Sequence, residues 1–117
     1  MEQILLVDDN TVIRELVAEL LRNHNFTVAE ADGVESTKKF FQTHQACLVC
    51  SDVNMQDGTG FDLYRYVLLE SPKTKFMLFT NDLRVSVCNR ADKYGIPLVS
   101  KNGSNLIDEI TKIMDAE

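Results

Sequence analysis

The sequence lacks tryptophan and has only two prolines, five glycines and three cysteines in 117 residues. An odd, small number of cysteines provides no closed disulfide framework and fits a reducing compartment. The remaining composition, 44% hydrophobic and 26% charged, is globular and excludes a disordered or collagen-like chain. We therefore expect a single domain over residues 1–117 that folds without cross-links.

Long apolar runs and an excess of basic residues are also missing. No run approaches the roughly 20 apolar residues needed to cross a bilayer, and the start, MEQILLVDD, has no basic signal-peptide region. The 12 Lys and Arg residues against 18 Asp and Glu residues give a formal net charge of −6. Such a domain repels phosphate backbones and anionic lipids. These features predict a cytoplasmic protein that binds neither membrane nor, directly, nucleic acid.

Soft metal ligands are nearly absent as well. Cys47 and Cys50 match a C-x-x-C pair, but their segment is typical of an apolar strand, where positions three apart point to opposite faces. We interpret both as small buried hydrophobic residues. His24 and His44 lie near predicted helix ends without a second ligand at suitable spacing, which predicts solvent-facing side chains without a catalytic role.

Short apolar runs alternate with helical periodicity along the whole sequence. The runs predict five strands, at 4–7, 26–29, 47–50, 76–79 and 97–99. Their nearly continuous apolar character is typical of parallel strands covered on both faces. The alternation predicts an α/β protein: a (βα)5 flavodoxin-like doubly wound parallel sheet with strand order 2-1-3-4-5.

Five helices are predicted between and after these strands. Their expected capping residues are Asn10 for the first, Asp32 with Glu35 for the second, Asp82 for the fourth, and Ser104 or Asn105 for the fifth. Ser71–Pro72 is expected to stop the third helix and Gly95 the fourth.

Polar side chains follow four of the predicted strands. They are Asp8 and Asp9, Asp52, Thr80, and Lys101. Because the carboxyl ends of parallel strands share one edge of a sheet, we expect these side chains to meet there. Three carboxylates in one crevice repel each other unless some are protonated or a cation lies among them. Oxygen ligands suit a hard ion, so the pattern predicts a Mg²⁺ site.

The three carboxylates of this edge and one nearby backbone carbonyl have expected roles at the metal. Asp9 and Asp52 are expected to bind Mg²⁺ directly, Asp8 through water, and the backbone carbonyl of Asn54 completes the protein ligands, which leaves room for a phosphoryl group.

The same edge predicts phosphoryl transfer to an aspartate. Asp52 is the expected nucleophile and needs no general base, because it is already an anion at neutral pH. Thr80 and Lys101, with Mg²⁺, would stabilise the charge on the transferred oxygens.

On these motifs the sequence resembles the receiver domain of two-component response regulators over essentially its whole length. The segments that carry the resemblance are ILLVDDN, SDVNM followed by GFDL, LFT and VSK, with Gly60 eight residues after Asp52. The resemblance implies a Mg²⁺-dependent phosphoprotein in a phosphorelay, with a sensor histidine kinase or histidine phosphotransfer protein as donor. Output would go to a downstream protein target or to an output domain missing from this sequence. Such a protein catalyses its own phosphorylation and dephosphorylation but is not a turnover enzyme.

Five positions are expected to modulate the site by comparison with that family. Asn102 replaces a proline that often has a cis bond, so a trans bond is expected here. Leu98 stands where the family has the aromatic residue of its switch, and Asn81 stands where the family often has a small residue. Asn54 and Asp82 occupy the two positions that tune hydrolysis in the family.

Three other assignments fit less well. An EF-hand loop would need its glycine one position earlier and Glu where Leu63 stands. A flavodoxin-like cofactor binder would need a phosphate-binding loop after the first strand, where two carboxylates stand. An aspartate-nucleophile phosphohydrolase would need a carboxylate in place of Asn54. One alternative stays open: an atypical receiver that signals by protein–protein binding without phosphorylation, which the departures at Leu98, Asn102 and Asn81 favour.

Overall fold

The computed structural model describes residues 3–103 and 105–116. Its strands are β1 (Gln3–Val7), β2 (Thr27–Ala31), β3 (Leu48–Ser51), β4 (Asn54–Met55), β5 (Gly58–Thr59), β6 (Lys75–Thr80) and β7 (Leu98–Ser100). Its helices are α1 (Thr11–Asn23), α2 (Val34–Thr43), α3 (Gly60–Glu70), α4 (Val85–Lys93) and α5 (Leu106–Asp115). Among the described helices, none combines the length and the apolar character needed to cross a bilayer.

Five strands form one parallel sheet in the order β2-β1-β3-β6-β7. Counted over the strands of this sheet alone, the order is 2-1-3-4-5, so the predicted topology is confirmed. The two short strands β4 and β5 pair only with each other, as an antiparallel hairpin between β3 and α3. This hairpin is not among the predicted elements, because strands of two residues carry no hydrophobic periodicity.

Both faces of the sheet are covered, which explains the nearly continuous apolar strands. Along β1, Leu5 and Val7 face the core under α2, α3 and α4, whereas Ile4 and Leu6 face the core under α1 and α5. All four side chains are buried. Burial of each such side chain stabilises the fold by roughly 1.5–3 kcal/mol. The two cores therefore fix the sheet on which the strand ends are arranged.

The two cysteines of the C-x-x-C segment lie on the same side of the sheet. Cys50 is buried in the core under α1 and α5, and the half-buried Cys47 packs against the same core. The prediction of opposite faces is wrong because Cys47 precedes β3, so the alternation of the strand does not extend to it. Burial raises the pKa of the Cys50 thiol to about 12, which keeps it a neutral small hydrophobic residue.

Several helix ends are as predicted. Asn10 caps α1, and its Oδ1 accepts a hydrogen bond from Ile13 N (3.1 Å). Ser71 ends α3, and Gly95 follows the end of α4. Asn105 precedes α5 without a side-chain capping bond, and Ser104 lies outside the described residues. His24 and His44 are exposed at the ends of α1 and α2.

The start of α2 is capped by a side chain from the β4–β5 hairpin. The Asp57 carboxylate accepts hydrogen bonds from the backbone amides of Val34 (2.8 Å) and Glu35 (3.0 Å). The predicted cap by Asp32 with Glu35 is wrong, because the helix begins only after Gly33 and Asp57 takes up its first amides. These two hydrogen bonds lower the pKa of Asp57, the bond from Glu35 being the stronger cause.

We expect Asp57→Ala to lower the free energy of unfolding by about 1 kcal/mol at neutral pH, the usual value of a helix cap. The pKa of Asp57 is lower in the folded than in the unfolded chain. The stabilisation is therefore complete above the unfolded pKa of about 3.9 and is lost as pH falls through the lower folded pKa. Urea unfolding at a series of pH values measures both effects.

The exposed Asp92, on α4, provides a matched control for this cap. Asp92→Ala should change the unfolding free energy by less than about 0.5 kcal/mol. Gly33→Ala should mimic the loss of the cap, because its Cβ would lie 2.4 Å from Asp57 Oδ1. An Asp57→Ala protein as stable as the unmodified one at pH 7 would contradict the assignment.

Candidate functional site

The ends of four strands bring the polar side chains together at one edge of the sheet. Asp8 follows β1, Asp52 follows β3, Thr80 ends β6 and Lys101 follows β7. Backbone hydrogen bonds align these ends: Asp52 N donates to Val7 O (3.0 Å), and Lys101 N donates to Thr80 O (3.0 Å). The register of the sheet therefore fixes their relative positions.

Lys101 lies between two carboxylates. Its Nζ donates to Asp8 Oδ2 (2.5 Å) and to Asp52 Oδ2 (2.9 Å). The other oxygen of each carboxylate accepts a hydrogen bond from a backbone amide. Asn10 N donates to Asp8 Oδ1 (2.9 Å), and Val53 N donates to Asp52 Oδ1 (2.7 Å). The two carboxylates are thus fixed in orientation and converge on one cation.

The ion pairs decide the charge of Lys101. Burial acts to lower the pKa of its ammonium group, but the hydrogen bonds and charges of Asp52 and Asp8 outweigh burial and raise the pKa. Asp8 is buried, whereas 15% of the Asp52 side chain stays exposed. Asp52 is therefore the more accessible carboxylate of the pair.

The Thr80 hydroxyl lies buried at the end of the neighbouring strand. Its Oγ1 accepts a hydrogen bond from the backbone amide of Asp82 (3.0 Å). This bond fixes the oxygen and leaves the hydroxyl proton as a donor.

Asp82 forms a bridge between two loops of the site. Its carboxylate accepts hydrogen bonds from Asn54 Nδ2 (2.7 Å), from Arg84 Nε (2.8 Å) and from a terminal nitrogen of Arg84 (2.7 Å). The hydrogen bonds from Arg84 and then Asn54 hold its pKa well below the usual range. The prediction that Asp82 caps the fourth helix is wrong: α4 begins at Val85 without a side-chain cap, and Arg84 engages the carboxylate instead.

A close contact at Gly60 positions the loop of Asp52. Gly60 N donates to Val53 O (2.8 Å). A Cβ on Gly60 would lie 2.5 Å from Asp52 O and 2.7 Å from Leu78 Cδ2. Only glycine lets α3 begin this close to the backbone of Asp52.

Three of the remaining predicted positions directly follow cluster residues in the chain, and the fourth, Leu98, begins β7. Asp9 is half-buried, and Asn81 and Asn102 are exposed. Leu98 is half-buried against the core under α2, α3 and α4. All peptide bonds of the described residues are trans, as expected after Lys101.

Two arginines near the site were not identified from the sequence. Arg14 reaches from α1 to the backbone carbonyl of Asp8 (2.6 Å) and also pairs with Glu30 on β2 (3.1 Å). Arg84 holds the Asp82 bridge. An arginine on a polar helix face or in a loop gives no local signal, because its partner is fixed only by the fold.

The chemistry of the acidic residues fits a hard divalent cation. Asp8 and Asp52 converge on the Lys101 ammonium, so a positive charge is already stabilised between them. Within residues 3–103 and 105–116, however, no three His, Cys, Asp or Glu side chains form a ready metal centre. The ligand roles of Asp8, Asp9, Asp52 and the Asn54 carbonyl therefore stay a prediction.

Comparison with known proteins identifies the family. The sequence model of the response regulator receiver domain matches residues 4–111. The chain is 28% identical over 113 residues to Two-component response regulator ORR12 of Oryza sativa subsp. japonica, covering 96% of this chain and 77% of that protein. It is 28% identical over 79 residues to Response regulator protein PilR of Pseudomonas aeruginosa, covering 68% of this chain but only 18% of that longer protein.

Solved structures show the same fold. The non-phosphorylated HemR receiver domain from Leptospira biflexa matches with a TM-score of 0.89 at 20% identity, covering 100% of this chain and 97% of that one. Response regulator protein TrrA from Thermotoga maritima, in complex with Mg²⁺-BeF, matches with a TM-score of 0.85 at 25% identity, covering 97% and 99%. The chain belongs to the response regulator receiver domain family of two-component signalling.

Proposed function

We propose that this receiver domain accepts a phosphoryl group on Asp52 and that the resulting change of surface controls binding of a partner. The convergence of Asp52 and Asp8 on Lys101, with the buried Thr80 hydroxyl at the end of the strand between β3 and β7, carries the proposal. We propose that the domain acts in the cytoplasm, that a sensor histidine kinase or histidine phosphotransfer protein is its donor, and that residues 1–117 form one receiver unit. Output passes to a downstream protein target or to an output domain of a longer chain.

Each residue of the site has a separate role in the phosphoryl transfer. An Asp52 oxygen attacks phosphorus, an O–P bond forms, and the P–N bond of the donor phosphohistidine breaks, with the electron pair leaving on the imidazole nitrogen. The Thr80 hydroxyl donates a hydrogen bond to a phosphoryl oxygen, and the Lys101 ammonium turns from the carboxylates to stabilise the charge on another. Asp9, Asp52 and the Asn54 carbonyl would hold Mg²⁺ directly and Asp8 would hold it through water, and the ion would supply further positive charge to these oxygens.

Beryllofluoride, an acyl-phosphate analogue, tests the proposal directly. Added with Mg²⁺ to the labelled protein, it should shift the amide resonances of Asp52, Thr80 and their neighbours. Asp52→Asn should remove these shifts. Unchanged resonances around Asp52 and Thr80 in the unmodified protein would refute the phosphoacceptor role.

We expect Mg²⁺ alone to stabilise the domain, because two carboxylates and one ammonium carry a net negative charge at the centre of the pocket. At 100 times the dissociation constant the gain is about 2.7 kcal/mol, seen as a higher thermal midpoint. Asp8→Asn should reduce the Mg²⁺-induced shift, whereas Lys101→Ala should preserve it, since Lys101 competes with the metal. The absence of any Mg²⁺-dependent shift would count against the metal site.

A second function is an atypical receiver that binds partners without phosphorylation. Leu98 in place of the aromatic switch residue favours it, as does Lys101, which already forms ion pairs with both carboxylates. The beryllofluoride titration separates the two functions, because only a phosphoacceptor responds at Asp52.

A further inference from the structure

A groove between α3 and α4 has an apolar floor. Its cavity of about 160 Å³ is lined by Phe61, Tyr64, Arg65, Leu68, Arg90 and Tyr94. Leu68 is 53% exposed and Tyr94 is 46% exposed, so the apolar surface is open to solvent. Aromatic residues and arginine, which make up most of this lining, are enriched at protein–protein interfaces.

The cations of the groove lack acidic partners. Among the ion pairs of the described residues, none includes Arg65 or Arg90. The Arg90 guanidinium lies over the Phe61 ring (4.4 Å to the centroid), and Lys93 Nζ lies 5.8 Å from the centre of the Tyr94 ring. The groove is therefore a cationic patch on a chain whose net charge is −6.

We propose that the groove binds an acidic segment of a partner protein. One large apolar side chain of the segment fills the cavity against Tyr64 and Leu68, and its carboxylates pair with Arg65 and Arg90. A planar guanidinium binds a carboxylate through two hydrogen bonds, and Arg beside Tyr is typical of the residues that dominate binding energy at interfaces. The overall negative charge disfavours a nucleic-acid strand as the occupant.

The groove is separate from the Asp52 pocket, and its binding is tested without phosphorylation. Both walls nevertheless begin at the site: α3 starts at Gly60, against the backbone of Asp52, and α4 starts after Arg84. Binding at this groove is thus a function distinct from phosphorylation of Asp52. If either proposal fails, the other can still be tested by its own experiment.

The test is a titration of the unphosphorylated, isotopically labelled protein with a short acidic peptide that carries Phe and Leu one helical turn apart among glutamates. Saturable amide shifts are expected at residues of the groove. Arg90→Glu and Arg65→Glu should each weaken binding by about tenfold or more. Arg90→Gln should weaken it less, and Lys39→Glu, at an exposed cation on α2, should leave affinity unchanged within about twofold.

Several outcomes would overturn the proposal. A peptide with Lys in place of Glu that binds equally well would remove the role of charge. Phenylacetate that binds as tightly as the peptide would make the groove a small-molecule site. Concentration-dependent dimerisation that shifts the same residues would identify a second copy as the occupant. No saturable shift at Phe61 or Arg90 would exclude the surface.

Discussion

Asp52→Asn is expected to reduce phosphoryl transfer from near-stoichiometric labelling to background. The amide of asparagine is not a nucleophile for phosphorus, whereas the Asp52 carboxylate is both anionic and the more accessible of the paired carboxylates. The measurement is transfer of radioactive phosphate from a phosphorylated histidine donor, or from acetyl phosphate, followed by gel analysis. The variant should remain folded, because asparagine has nearly the same shape and its oxygen can still accept Val53 N.

Asp32 supplies the control for this experiment. It is an exposed carboxylate whose predicted capping role is not observed, so Asp32→Asn should be labelled like the unmodified chain. Labelling that persists in Asp52→Asn at a serine or threonine would contradict the assignment of Asp52. A circular dichroism spectrum of each variant separates loss of chemistry from loss of fold.

Gly60→Ala should have the second large effect, on both stability and labelling. Its Cβ would lie 2.5 Å from Asp52 O, a backbone atom that moves only with the strand end. Overpacking of this kind costs about 1–3 kcal/mol, more than the roughly 1 kcal/mol that alanine gains over glycine in a helix. Because the displaced atom belongs to Asp52, the rate of labelling should also fall, by about 100-fold for a misplacement near 1 Å.

Gly103→Ala tests whether this effect is specific. The nearest atoms to a Cβ on Gly103 are Asn105 Oδ1 at 3.2 Å and Ser100 O at 3.4 Å, so a small adjustment suffices. We expect the free energy of unfolding and the rate of labelling of this variant to be almost those of the unmodified protein. Urea unfolding and initial rates of labelling give both quantities, and a Gly60→Ala protein with unchanged values would show that α3 can move away from Asp52 freely.

The sheet and its polar edge could be predicted because each depends on a periodic or topological rule. Continuous apolar runs identify buried parallel strands, and the strand order then determines that the carboxyl ends of β1, β3, β6 and β7 share one edge. No comparable rule reaches Asp57, which caps a helix 23 residues away in sequence. Because the capping side chain is distant in sequence, the residues around Gly33 do not indicate how the helix is capped.

Asp82 illustrates the opposite error. An acidic residue shortly before a helical segment is typical of an N-cap, and the sequence predicted one. In the fold, the side chains of Arg84 and Asn54 offer three hydrogen bonds to the same carboxylate, and a charged, bidentate partner is stronger than one backbone amide. The Asp82 carboxylate therefore binds these side chains instead of capping the helix. One of them, Asn54, becomes a neighbour of Asp82 only after folding.

The position of Lys101 changes how metal binding at this edge should be understood. With its ammonium group between Asp8 and Asp52, the domain carries its own internal counterion. The proposed uptake of a divalent cation would then exchange one cation for another, and its affinity would be the difference between two electrostatic attractions. Without any metal, the ammonium already offsets one of the two carboxylate charges, so neither carboxylate is left without an opposite charge beside it.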